Sequence, residues 1–271
     1  MIVVALAAPL LGTGSPTRID PTCRNRAPGV ECVTRDASGK RVAVTPLMGT
    51  DSLGRDVYSR VIYGARVSLL IGLSVAVVAI AIGLVIGLVS GYFRWLDAVV
   101  MRVMDGLMAI PAILIAIALV AVWRGAIHAV ALVVLAIVVP EIPRVVRLVR
   151  SVVLTIREEP YVEAAIAVGT PTPLILVRHV LPNTIAPLIV QGTYICASAM
   201  LVEAILSFLG IGIPAETPSW GNIMAEGRTV FRIAPHNILF PGIFLALTVL
   251  AVNILGDGLR DTLDPRLSKR M

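Results

Sequence analysis

Five stretches of this chain contain no Asp, Glu, Lys or Arg: Val67 to Phe93, Gly106 to Trp123, Gly125 to Pro140, Val180 to Val202 and Ile233 to Gly256. Apolar runs of about 17 to 25 residues match a hydrocarbon layer roughly 30 Å thick. A backbone surrounded by lipid must bond to itself, so such runs are predicted to be helices. The third run is the shortest and is free to continue past Pro140. Ile2 to Gly12 is a sixth apolar run, too short at about 1.5 Å per residue to cross the layer. It is read as a clipped first helix rather than a signal-peptide core, because no basic segment precedes it. Composition agrees: hydrophobic residues make up 57% of 271 and charged ones 15%, against about 45–50% and about 25% in soluble domains. The net charge of +6 comes from Arg residues lying between the apolar runs, which excludes nucleic acid as a partner and leaves membrane lipid.

Ala79, Gly83, Gly87 and Gly91 recur every four residues in the first long run. Small residues on one helix face let a second backbone approach closely, the usual basis of packing within lipid. The 23 Lys and Arg residues do not orient the bundle, because eleven fall on one side of the runs and twelve on the other. Five later spans nevertheless put the C-terminus on the same side as the segment from Arg144 to Arg178. The expected organisation is a first helix at 1–12, an extracytoplasmic segment at 13–66, a transmembrane core at 67–260 with a connecting loop at 141–180, and a tail at 261–271.

The polar segment Thr13 to Arg66 carries Cys23 and Cys32, while Cys196 lies within a span. In an oxidising compartment a Cys23–Cys32 bond would stabilise this segment by about 2–3 kcal/mol. Two free thiols in a mobile loop fit the spacing equally well. Asp51 to Arg66, amphipathic and Arg-rich, is expected on the outer surface before the first long span. In the connection from Glu141 to Val180, Pro160 opens a short helix, Ala164, Ala165 and Ala167 sustain it, and Gly169 with Pro171 and Pro173 stops it. Glu158, Glu159 and Glu163 load its N-terminal turns with negative charge, which suits the helix dipole. On composition alone this is a solvated face.

Polar residues in the spans are few. Glu203 is a pathway candidate, or a residue near a helix end that reaches water. Asn183, Gln191 and Asn253 are more readily interhelical hydrogen bonders than pathway residues. Asp105 is expected to pair with Arg102, and Trp220 to anchor at the membrane boundary. His128, His179 and His236 do not have ligand spacing, so no metal is predicted.

Glu163-Ala164-Ala165, three residues, Gly169, nine residues, His179, one residue and Leu181-Pro182 resembles the EAA loop of bacterial ABC importer permeases. His179 stands where that pattern usually carries Ile. Gly49-Thr50-Asp51-Ser52-Leu53-Gly54-Arg55-Asp56, Pro218-Ser219-Trp220-Gly221-Asn222, and Leu255 to Asp261 with Asp264 to Leu267 are similar to the C-type subunit of dipeptide, oligopeptide and nickel permeases. The resemblance covers about Pro46 to Leu267.

It implies an all-α integral membrane protein of about six transmembrane helices with the importer-type core, in the bacterial inner membrane with a cytoplasmic C-terminus. It also implies a heterodimer with a homologous second permease, two cytoplasmic ABC ATPases and an extracytoplasmic solute-binding protein. Glu163, Ala164, Ala165 and Gly169 would form the cytoplasmic coupling helix that docks on one ATPase. Trp220 and Asn222 are candidates for an extracytoplasmic gate or a contact with the binding protein. No phosphate-binding loop occurs, and neither Lys40 nor Lys269 lies in such a context; no hydrolase or redox motif occurs either. No catalytic residue and no cofactor is therefore predicted. The alternative is a secondary transporter driven by an ion gradient, which would want several midplane carboxylates where only Glu203 comes near.

Overall fold

The computed structural model describes residues 2–35 and 41–263. Helix α1 (Ile2–Leu6) is followed by strands β1 (Cys32–Arg35) and β2 (Arg41–Val44), then by α2 (Val57–Tyr92), α3 (Arg94–Ala109), α4 (Ala112–Trp123) and α5 (Ala129–Ile156). After these come α6 (Pro160–Ala167), α7 (Thr172–Ile175), α8 (Leu181–Phe208), α9 (Trp220–Gly227) and α10 (His236–Leu263). A π turn at Leu176–Val180 joins α7 and α8 into one helical run, Thr172–Phe208. Among the described residues four helices, α2, α5, Thr172–Phe208 and α10, are long and apolar enough to cross a membrane. The pair α3 and α4 makes a fifth if it is counted as one span bent by 90°. The architecture is the all-α membrane type that the apolar runs predict.

Several boundaries differ from those expected, for a common reason. α2 starts at Val57 rather than 67, and α5 continues to Ile156, so 141–156 is helix rather than loop. The charges that suggested helix ends are paired instead: Arg60 with Asp51 and Glu226, Glu141 with Arg144, Arg147 with Asp105, and Arg150 with Asp97. Asp105 thus finds Arg147, not Arg102. The expected single span Gly106 to Trp123 is broken because Pro111 lacks an N–H and drives Ile110 to extended geometry (φ −95°, ψ 131°). Of the expected 1–12 helix, Ile2–Leu6 is α-helical and Ala8–Leu10 forms a 3₁₀ turn. The motif residues Asp264 to Leu267 and the rest of the tail lie outside the described residues.

The chain divides into two compact units, the first built from the chain up to Gly72, Trp123–Val133 and Met200–Leu250, the second from Leu73–Val122, Val134–Ala199 and the chain from Ala251 on. In the second unit the small-residue stripe receives a matching row of valines. A Cβ at Gly83, Gly87 or Gly91 would lie 2.5, 2.7 and 2.8 Å from the Cβ atoms of Val145, Val149 and Val153 on α5. Both rows advance by four residues, so ridge and groove stay in step along the contact.

In the first unit the polar segment is tightly folded. β1 and β2 pair antiparallel with Cys32 opposite Val44, and the sulfurs of Cys23 and Cys32 are bonded, with Cα atoms 5.7 Å apart. Gly54 has φ +78°, and a Cβ there would fall 1.7 Å from the Asp20 carbonyl oxygen, so only glycine fits. The Asp51 carboxylate accepts from the Leu53 and Arg55 amides at 2.9 Å each. Asp56 caps the first turn of α2 by accepting from the Ser59 amide at 2.9 Å. Most residues of the Gly49 to Asp56 motif therefore serve to fold this segment back on itself and start α2.

Candidate functional site

Helix α6 is an exposed element held by few anchors. Glu159 precedes it in extended geometry and Pro160 opens it, where a missing N–H costs nothing. At its other end Gly169 N donates to Ile166 O at 2.9 Å and Thr170 N to Ala165 O at 3.0 Å. This is a Schellman closure with Gly169 at φ +86°. Nothing lies within 4 Å of a Cβ built on Gly169, so its requirement is conformational and not one of space. Of the predicted coupling residues, Glu163, Ala164 and Gly169 are exposed and Ala165 is half-buried. Beside them Ile166 is exposed and Val168 stands 86% accessible.

Two side chains tie α6 down. Val162 is fully buried. The Tyr161 ring stands 5.9 Å from that of His179 in the π turn, and the Asn183 amide donates 3.4 Å to the Tyr161 hydroxyl and 2.7 Å to the His179 carbonyl. A displacement of α6 therefore bears directly on the foot of the helix Thr172–Phe208. Tyr161 was not singled out from sequence. Its place directly before Val162 and Glu163 in the motif was the available signal, but the partner 18 residues on was not legible.

The second predicted group, Trp220 and Asn222, is placed differently from expectation. Trp220 is 0% exposed, and its indole N–H donates to Val61 O at 3.0 Å. Asn222 is buried and donates from one amide nitrogen to Pro214 O at 2.9 Å and Thr217 O at 3.0 Å. Neither side chain offers a surface to a binding protein or to the membrane boundary. Ser219 caps α9 by accepting from Asn222 N at 3.2 Å, and a Cβ on Gly221 would lie 2.7 Å from the Cα of Ala204. The motif Ser219-Trp220-Gly221-Asn222 thus seats α9 against α8 and the first turns of α2.

Glu203, 1% exposed, belongs to that seat. Its Oε1 accepts from Ser207 Oγ at 2.8 Å and Ser219 Oγ at 2.9 Å. It does not reach water at a helix end. A further anchor is the quartet of Asp51, Arg55, Arg60 and Glu226. Arg60, 1% exposed, donates 2.5 Å to Asp51 and 2.5 and 3.1 Å to the two oxygens of Glu226, and Arg55 bonds to both carboxylates as well. Two positive and two negative charges compensate one another, and removing one partner from such a set costs about 3–5 kcal/mol. Sequence reasoning placed Arg55 and Arg60 on an outer surface; the buried pairing depends on Glu226, 166 residues from Arg60.

Among the described residues no group of three or more His, Cys, Asp and Glu side chains is placed to hold a metal ion. His236 is buried, with Nε2 3.0 Å from the Thr50 carbonyl oxygen. What the arrangement offers is an exposed short helix linked to a long one and a second short helix clamped by buried polar contacts.

Four or five apolar helices among the described residues define the class as an all-α, multi-pass membrane protein. Residues 68–269 match the family described as binding-protein-dependent transport system inner membrane component, and the chain belongs to that family. It is a permease subunit of an ABC importer. A "probable peptide ABC transporter permease protein" of Sinorhizobium fredii is 51% identical over 268 residues, covering 99% of this chain and 86% of the relative. The dipeptide transport system permease protein of Alkalihalophilus pseudofirmus is 40% identical over 98% of this chain and 82% of its own length. The glutathione transport system permease protein of Escherichia coli is 44% identical over 81% and 72%. Among solved structures, an inward facing form of the MetNI methionine ABC transporter aligns with a TM-score of 0.55 at 18% identity, over 72% of this chain and 94% of that one. At that identity the likeness concerns the fold.

Proposed function

We propose that this chain is the C-type half of a peptide-importing channel, paired with a homologous second permease and supplied by an extracytoplasmic solute-binding protein. Peptides are the solutes named for the relatives that are 51% and 40% identical. ATP is hydrolysed in two separate cytoplasmic ABC ATPases, and this subunit contributes a change of shape between two states of access. Helix α6 with Gly169 is the coupling helix, so α6 and the C-terminus are cytoplasmic. The segment closed by Cys23 and Cys32 then faces the oxidising exterior, where a disulfide persists. α9, seated by Trp220 and Asn222, is the gate.

The observation that carries this reading is the exposed apolar tip of α6, Ile166 and Val168, beside the charged handle of Glu163 and linked through Tyr161 to His179. Small alanines let the helix seat closely in a groove, and the link converts motion of the groove into a push on the span. Glu163→Lys is expected to leave the protein in the membrane while the ATPase subunits no longer co-purify with it. Full retention of the ATPases by this variant, with normal uptake, rejects the assignment of α6.

A further inference from the structure

The second unit contains a cleft of about 650 Å³ lined by α8, by Leu148 of α5 and by Arg260 and Leu263 of α10. That volume lies within the range of about 300–1,000 Å³ typical of small-ligand sites. Most of its wall is apolar, contributed by Pro182, Ala186, Pro187 and Val190 among others. Three side chains break that surface with polar groups: Asn183, Gln191 and Arg260.

The helix that forms this wall is irregular where the cleft lies. The π turn Leu176–Val180 runs directly into α8, and Pro182 and Pro187 both lie within the first turns. Proline has no N–H, so Pro187 deprives the Asn183 carbonyl of its normal helical donor four residues on. Backbone groups freed by such interruptions are tolerated where they are buried in protein or line a water-filled cavity, and transporters use broken helices to meet solutes. The side chain of Gln191 makes no hydrogen bond among the described residues, and Arg260 makes no ion pair there despite Asp257 and Asp261 on its own helix. Among the described residues no carboxylate lines the cleft. Among the described residues the wall therefore presents one cation without an ion pair, the Gln191 amide and Asn183 Oδ1 against an otherwise apolar surface.

We propose that this cleft receives the C-terminal end of a transported peptide, with Arg260 meeting the free carboxylate, the Gln191 side chain meeting a peptide amide, and Asn183 Oδ1, its amide nitrogen being engaged with Tyr161 and His179, accepting from a peptide N–H. Amides both donate and accept, which matches a peptide backbone whatever its residues. The apolar wall takes side chains without selecting among them. A guanidinium can hold a carboxylate through two parallel hydrogen bonds. The inference rests on the peptide-importer reading above and adds to it a place on this subunit where the solute is held.

The test uses the complete transporter with both permeases and both ATPases in nanodiscs, without nucleotide, and tri-alanine as probe, observed by saturation-transfer NMR titration. The free acid is expected to bind the wild type at least about tenfold more tightly than Arg260→Gln. Tri-alanine amide is expected to bind both proteins alike, and Gln191→Leu to weaken both ligands by a factor of about three. Equal binding of the free acid by wild type and Arg260→Gln overturns the proposal, as does a loss in Arg260→Gln that the amide shares. Loss of the second permease from the Arg260→Gln complex overturns it as well, because the cleft would then be a subunit interface. An effect of Arg260→Gln seen in nanodiscs with phosphatidylglycerol and absent in phosphatidylcholine assigns Arg260 to lipid headgroups and also overturns it. ATP-driven uptake of tri-alanine by the wild type separates the two readings. If uptake proceeds while binding ignores Arg260, only the cleft assignment fails; if no peptide is taken up, the importer reading fails with it.

Discussion

Gly169 shows how one residue can matter without touching anything. Its φ of +86° lies where a Cβ meets the backbone of its own residue, at a cost of about 1–2 kcal/mol, and asparagine is the least penalised replacement. Gly169→Asn is therefore expected to retain most uptake and Gly169→Val to lose most of it, with membrane abundance unchanged in both; transport assays normalised to protein level decide. Equal uptake by the two variants would show that the Schellman closure is dispensable. Asp20 offers a residue-scale test of pH. Hydrogen bonds from Thr22 and Thr34 hold its carboxyl below the usual carboxylate range. A lowered folded pKa means that the charged form is preferred by the folded state. The associated stability is present above the unfolded value near 3.9 and is lost as pH falls through the lower folded value. Amide exchange in the segment around Asp20 should accelerate on acidification below about pH 4 in the wild type and show a weaker dependence in Asp20→Asn.

At the scale of elements, the contact between α2 and α5 is a fit of absent side chains to valines. Gly87→Leu places atoms where Val149 already stands, 2.7 Å from the glycine's missing Cβ. Overpacking of this kind costs about 1–3 kcal/mol, and more where backbone must move. The variant is expected to melt several degrees lower in detergent, whereas Gly106→Ala, with open space at that position, should be nearly neutral; differential scanning fluorimetry of the purified subunit checks both. The periodicity of Ala79 to Gly91 was readable because a helix repeats itself. The break at Pro111 was also available to reading, since proline ends helices by removing a donor, but the expected span ran through it. The buried seat of α9 was not available, because Trp220 and Asn222 carry the same signature whether they face a lipid boundary or a protein interior.

At the scale of the whole molecule, the proposed function is tested by the source of the energy for uptake. Uptake of peptide into proteoliposomes holding the full assembly is expected to require ATP on the ATPase side and to survive collapse of the proton gradient. Uptake that follows the gradient and ignores ATP would favour the secondary transporter. The charge-free runs determined a helical membrane protein, because lipid leaves the backbone no other partner, and the residues from Pro160 to Gly169 marked the short helix α6, because a local helix with a glycine stop is written in adjacent residues. Tertiary structure decided where the helices begin and end and which polar residues are interior. Arg60 lies within α2 with Glu226, besides Asp51, neutralising it, and Arg150 lies within α5 with Asp97 beside it. The cost of a charge depends on its nearest opposite charge, and in these pairs that partner is 166 and 53 residues away along the chain.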